Sequence, residues 1–70
     1  MKTRYDVDVW RNGNISSMRF EDLKEAFELA KECAQQTTTW LTKLVFNAEG
    51  RLIGTSSVKM NADGTWVKAE

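Results

Sequence analysis

The side chains of this chain that could do chemistry are hydroxyls, carboxylates and one thiol. Ser16, Ser17, Ser56, Ser57 and several threonines are candidate nucleophiles, but the sequence holds no histidine to take up their proton. The missing histidine is also the usual general base near neutral pH. Cys33 falls at a helical apolar position, where a thiol behaves as an inert small hydrophobe. Asp6 and Asp8 lie two apart on a strand-like segment, so they share a face and could divide acid and base roles. Arg19 and Ser17 are expected opposite them, which makes a solvated charge ladder the better reading. Gly50 and Gly64 sit in turn patterns, not in a phosphate loop. A metal would find only Cys33 and carboxylates. No metal or cofactor is therefore expected, and the chain reads as a non-enzyme.

The elements that carry these residues are one helix and the hairpins on either side of it. Asp22 is a good N-cap and Glu25, three residues on, completes a capping-box pattern. Leu23, Ala26, Phe27, Ala30, Cys33 and Ala34 then recur at helical spacing, with Leu29 at the edge of the stripe. Alanines at 26, 30 and 34 allow the helix to sit close on a sheet. The β-branched run Thr37-Thr38-Thr39 ends it and opens the next strand.

Before the helix, Tyr5 to Trp10 alternates apolar and polar, and Asn12-Gly13 signals a two-residue type I′ hairpin. That turn sets Trp10 opposite Ile15, Asp8 opposite Ser17, Asp6 opposite Arg19 and Tyr5 opposite Phe20. Tyr5, Val7, Val9, Met18 and Phe20 then share the core face, while Asp6–Arg19 and Arg4–Glu21 would pair across the other. After the helix, Asn47-Ala48-Glu49-Gly50 and Asn61-Ala62-Asp63-Gly64 repeat one pattern, Asn-Ala-acid-Gly. Each reads as a type I turn closed by a left-handed glycine, giving a three-stranded meander. Counting outward from those loops gives a core face of Trp40, Leu44, Phe46, Leu52, Val58, Met60 and Trp66. The fold expected is α+β: ββαβββ, one domain over residues 1–70, with the helix packed on one face of an antiparallel sheet.

The other sheet face has no second layer to cover it. It is expected to carry Trp10, Ile15, Leu41, Val45, Ile53 and Val67, with Lys43 and Lys59 among them. One contiguous patch of this kind marks a protein partner or a homodimer surface. Trp10, Ile15, Lys43, Val45, Ile53 and Lys59 are the candidate contact residues, and Trp10 is the candidate hot spot. A second candidate surface is the outer side of the helix, where Asp22, Glu25, Glu28 and Glu32 form an acidic ridge that could mimic phosphate charge for a basic partner.

Composition narrows the partner class. Ten basic and ten acidic residues cancel, which argues against general nucleic-acid binding; a small nucleic-acid or ligand-binding sheet stays as an alternative. The helix segment holds five acids against two bases, a layout that anionic lipid would repel. No apolar run reaches the length of a membrane span and no signal peptide is evident, so the chain reads as cytoplasmic.

The succession hairpin, helix, meander, closed by Asp63-Gly64-Thr65-Trp66-Val67, resembles small phage-encoded inhibitors of type I CRISPR surveillance complexes. The resemblance covers the layout of the whole chain and transfers no contact residue. It implies a non-enzymatic protein that occupies the surface of a host nucleoprotein or defence complex, in the host cytoplasm.

Overall fold

A computed structural model describes residues 1–68. The elements run β1 (Lys2–Arg11), β2 (Asn14–Phe20), α1 (Leu23–Ala34), β3 (Thr39–Phe46), β4 (Leu52–Met60) and β5 (Trp66–Lys68). The strands form one antiparallel sheet in the order β2-β1-β3-β4-β5, and α1 packs on one of its faces. This is the expected α+β, ββαβββ arrangement.

The first hairpin follows from its turn. Asn12 and Gly13 both have positive φ (49° and 82°), as a type I′ turn requires. The register is the expected one, from Trp10 opposite Ile15 to Tyr5 opposite Phe20. The charges arrange themselves differently. Asp6 does lie opposite Arg19, but its Oδ1 is 3.4 Å from Arg4 Nε, and Glu21 pairs with Lys2 at 3.6 Å. Arg4 is half-buried and turns along its own strand, so the expected Arg4–Glu21 pair does not form.

The helix starts where its cap dictates. Asp22 is extended (φ −104°, ψ 121°), and its Oδ1 accepts the Lys24 amide at 2.9 Å. Only Ala26 and Ala30 of the apolar stripe are fully buried, and they bring the helix onto Val7, Val9 and Leu41 at the middle of the sheet. Phe27, Leu29, Cys33 and Ala34 flank that contact. Leu23, expected on the stripe, is 49% exposed because it lies at the first turn, beyond the packed centre. Past the helix, Thr37 Oγ1 donates to Trp10 O (2.6 Å) and the Trp10 amide donates to Thr38 O (3.0 Å), which fastens the connection to β1.

The face of β3 is the main correction. The loop Asn47–Gly50 closes as expected, with Asn47 N donating to Arg51 O at 2.9 Å and Gly50 at φ 82°. Phe46 opposes Leu52, also as expected, but Val45 then opposes Gly54, so Ile53 is one residue too many. That β-bulge shifts the register by one, and a one-residue shift turns a strand over relative to its neighbour. Pairing with β1 agrees: Val7 opposes Leu41, Val9 opposes Thr39 and Tyr5 opposes Lys43. The helix side of β3 is therefore Thr39, Leu41, Lys43 and Val45. Trp40, Leu44 and Phe46 point the other way, and Leu52 goes with them. Val58, Met60 and Trp66 keep the helix side that the sequence assigned them, because they lie beyond the bulge.

The completed core is small: Val7, Val9, Ala26, Ala30, Leu41 and Met60. At its centre the alanines leave no room for a larger side chain, since both are fully buried against the sheet. Ala30→Leu should cost about 2 kcal/mol or more through overpacking, read as a lower urea midpoint with an unchanged slope.

Candidate binding surfaces

The face of the sheet opposite the helix is crossed by a hydrogen-bonded row of polar side chains. Ser17 Oγ of β2 donates to Asp8 Oδ1 of β1 at 2.5 Å, and Thr42 Oγ1 of β3 lies 3.3 Å from Asp8 Oδ2. Thr42 Oγ1 meets Ser57 Oγ of β4 at 2.8 Å. The row spans four strands and uses both oxygens of Asp8 as acceptors, while Asp6 is engaged with Arg4. The two carboxylates are thus held separately by different partners, which suits a ladder and not an acid–base pair.

Apolar groups lie on both sides of this row. Toward the first turn are Trp10 (45% exposed) and Ile15 (57%), paired across β1 and β2, with Trp40 on the neighbouring strand and Lys59 opposite it. Toward the other end, Arg4 stacks over the Phe46 ring with its guanidinium carbon 5.1 Å from the centroid. Leu44 lies opposite Arg4, and Leu52 opposite Phe46. No element of the described chain covers this face.

Of the six candidate contact residues, the structure brings three together here: Trp10, Ile15 and Lys59. Lys43 and Val45 are on the helix side because of the bulge. Ile53 is the bulge residue itself, 53% exposed at the far end of β4. Sequence reasoning missed Trp40, Leu44 and Phe46, which it placed in the core. The acidic ridge is present as expected: Asp22, Glu25, Glu28 and Glu32 are all exposed, although Asp22 also serves as the helix cap.

The helix side holds a second surface that the sequence reading did not find. A groove of about 620 Å³ opens between the first half of α1 and strands β1, β3, β4 and β5. Tyr5, Phe27, Leu41, Val58 and Trp66 give it apolar walls, and Lys24 and Lys43 stand at its rim. Trp66, read as core, is 56% exposed and meets Phe27 edge-on, with ring centroids 5.6 Å apart at 85°. Helix length was the signal available: twelve residues, about 18 Å long and about 10 Å wide, cover two or three strands spaced about 4.8 Å apart but not five.

The turn carboxyl Asp63 is held below its ordinary value by hydrogen bonds from the Thr65 hydroxyl (2.6 Å) and the Thr65 amide (2.9 Å). Its role is to close the β4–β5 turn. Among the described residues no three histidine, cysteine or carboxylate side chains gather as a metal site, and no helix is long and apolar enough to cross a membrane. No protein-family model, no curated protein and no solved structure matches the chain.

The Phe27–Trp66 contact ties α1 to β5 across the groove. A double-mutant cycle with Phe27→Leu and Trp66→Leu should return a coupling of about 1 kcal/mol in urea unfolding. A coupling near zero would mean that the two rings do not meet in solution.

Proposed function

We propose that the chain is a non-enzymatic protein-binding module whose contact surface is the uncovered face of the sheet. The observation that carries this reading is the exposed aromatic and aliphatic corner of Trp10 and Ile15, beside Trp40, on a face with no second layer. A monomer keeps such clusters where something binds, and tryptophan is the residue most often found to dominate a contact. Lys59, Arg19 and Arg4 surround the apolar groups, so the face also suits a partner with acidic groups at its rim. The narrower reading, a phage-encoded inhibitor that occupies a host nucleoprotein or defence complex, draws its support from the ββαβββ layout alone. Nucleic acid is the less favoured partner, because the ten bases are matched by ten acids.

The test is affinity capture from the native host with the wild-type chain and two variants. Trp10→Ala should lose the captured partner, with affinity falling about 30-fold or more, as truncating a hot spot does. Far-UV circular dichroism and the melting curve should stay as in the wild type. Trp66→Ala, on the helix side, should retain the partner. Capture that survives Trp10→Ala but fails with Trp66→Ala would move the contact to the groove.

A second reading is favoured by the groove itself, whose apolar walls and two lysines fit a small amphipathic anion. Decanoate is a simple probe. Binding there should change Trp66 fluorescence in a saturable way and should weaken when Lys43 is replaced by Ala. A flat titration would remove this reading.

A further inference from the structure

The two edges of the sheet are built differently. On the β5 side the edge strand has three described residues, carries Lys68 and pairs only with Val58–Met60, while the Ile53 bulge interrupts the β3–β4 ladder at the other end of β4. Short edges, lysines and bulges are the usual devices that keep a sheet from pairing with another chain. On the β2 side none of them is present. Asn14–Phe20 is seven residues long, regular against β1 throughout, and free of proline, lysine and bulge. Its one charged residue, Arg19, lies opposite Asp6 on the uncovered face.

The first turn fixes which backbone groups of β2 point outward. In a two-residue hairpin Arg11 and Asn14 form the closing hydrogen-bonded pair. Antiparallel pairs alternate, so Ser16, Met18 and Phe20 also bond to β1. The N–H and C=O groups of Ile15, Ser17 and Arg19 therefore face away from the sheet. The Trp10 amide supports this parity, since it bonds to Thr38 O on the opposite side of β1.

We infer that β2 is a self-pairing edge, on which a second copy of this chain adds its own β2 antiparallel about a two-fold axis at Ser17. This register aligns all seven residues of the strand. It opposes Ile15 with the partner's Arg19, and Ser17 with the partner's Ser17. These are the residues with outward backbone groups, so the three opposed pairs exchange about six hydrogen bonds. Centring the axis on Ser16 or Met18 shortens the overlap and leaves outward groups unpaired. The arginine meets an aliphatic side chain and not its own copy, so no like charges face each other. An antiparallel join also keeps faces in phase. Both helices lie on one side, and the two uncovered faces run together into one surface of ten strands, with the Ile15 residues flanking the seam. A second copy is favoured over an unrelated strand because the edge matches itself in length and hydrogen bonding and opposes no like charges.

The inference rests on the edge alone and is separable from the partner reading above. Sedimentation velocity of the full chain from micromolar to millimolar concentration should show a reversible monomer–dimer equilibrium. Amide exchange at Ile15, Ser17 and Arg19 should slow as concentration rises. Ser17→Pro deletes an N–H that bonds nothing within the chain, at an edge position where a folded monomer tolerates proline. Ser17→Lys places like charges face to face across the axis, while Asp8 gives the new cation a partner within the monomer. Both variants should weaken dimerisation at least 100-fold with the circular dichroism spectrum retained, and Trp10→Ala should dimerise as the wild type does. A wild-type chain that stays monomeric at millimolar concentration overturns the inference. So does a dimer that survives both Ser17 substitutions, or one lost in Trp10→Ala, which would place the interface on the uncovered face.

Discussion

One twelve-residue helix has to serve a five-stranded sheet, and everything else in the structure follows from that mismatch. Ala26 and Ala30 let the helix backbone approach closely and bury Val7, Val9 and Leu41, the residues of the two central paired strands. Close approach limits reach. The outer strands receive less cover: Trp66 is half exposed on the helix side, and the opposite face is covered by none of the described elements. A domain of this size buries roughly 60% of the surface its unfolded chain exposes, so large exposed side chains are expected. Their grouping at the Trp10 corner and at the groove gives each surface a shape.

Polar chemistry makes the uncovered face tolerable in water. Asp8 gathers hydroxyls from β2 and β3, and the chain of bonds continues to Ser57 on β4, so this row of the face is hydrogen-bonded without a second layer. Arg4 lies flat against Phe46 and beside Asp6, covering ring surface with its stem and charge. The result is a polar band with an apolar end on each side. Such an arrangement favours a partner that brings apolar groups to the ends and hydrogen-bonding groups to the centre.

Much of the fold was legible in local sequence signals, and the misplaced face of β3 has a single source. Asn12-Gly13 set the first hairpin register correctly, because a two-residue turn leaves no freedom in the count. Asp22 marked the helix start, and the two Asn-Ala-acid-Gly loops closed as their glycines required. What local signals do not carry is the Ile53 bulge. One extra residue on β4 is imposed from a distance, by the need of β3 to present Leu41 to Val7 and Thr39 to Val9 across a pairing with β1. Without that long-range pairing the count from the loop is the natural one, and it turns β3 over. Lys43 and Val45 moved off the proposed contact face for this reason, and Trp40, Leu44 and Phe46 moved onto it. The groove escaped notice because Trp66, opposite Met60, looks like core until the helix is seen to stop short of it.

The central claim is that the bulge turns Leu41 toward the helix and leaves Trp40, Leu44 and Phe46 on the uncovered face. Nuclear Overhauser contacts in the isotope-labelled chain test it most directly. Contacts are expected from the Leu41 methyls to those of Ala26 and Ala30, and from the Phe46 ring to the Arg4 side chain. Contacts from Leu44 or Trp40 to the alanines of the helix, with Leu41 showing none, would contradict it.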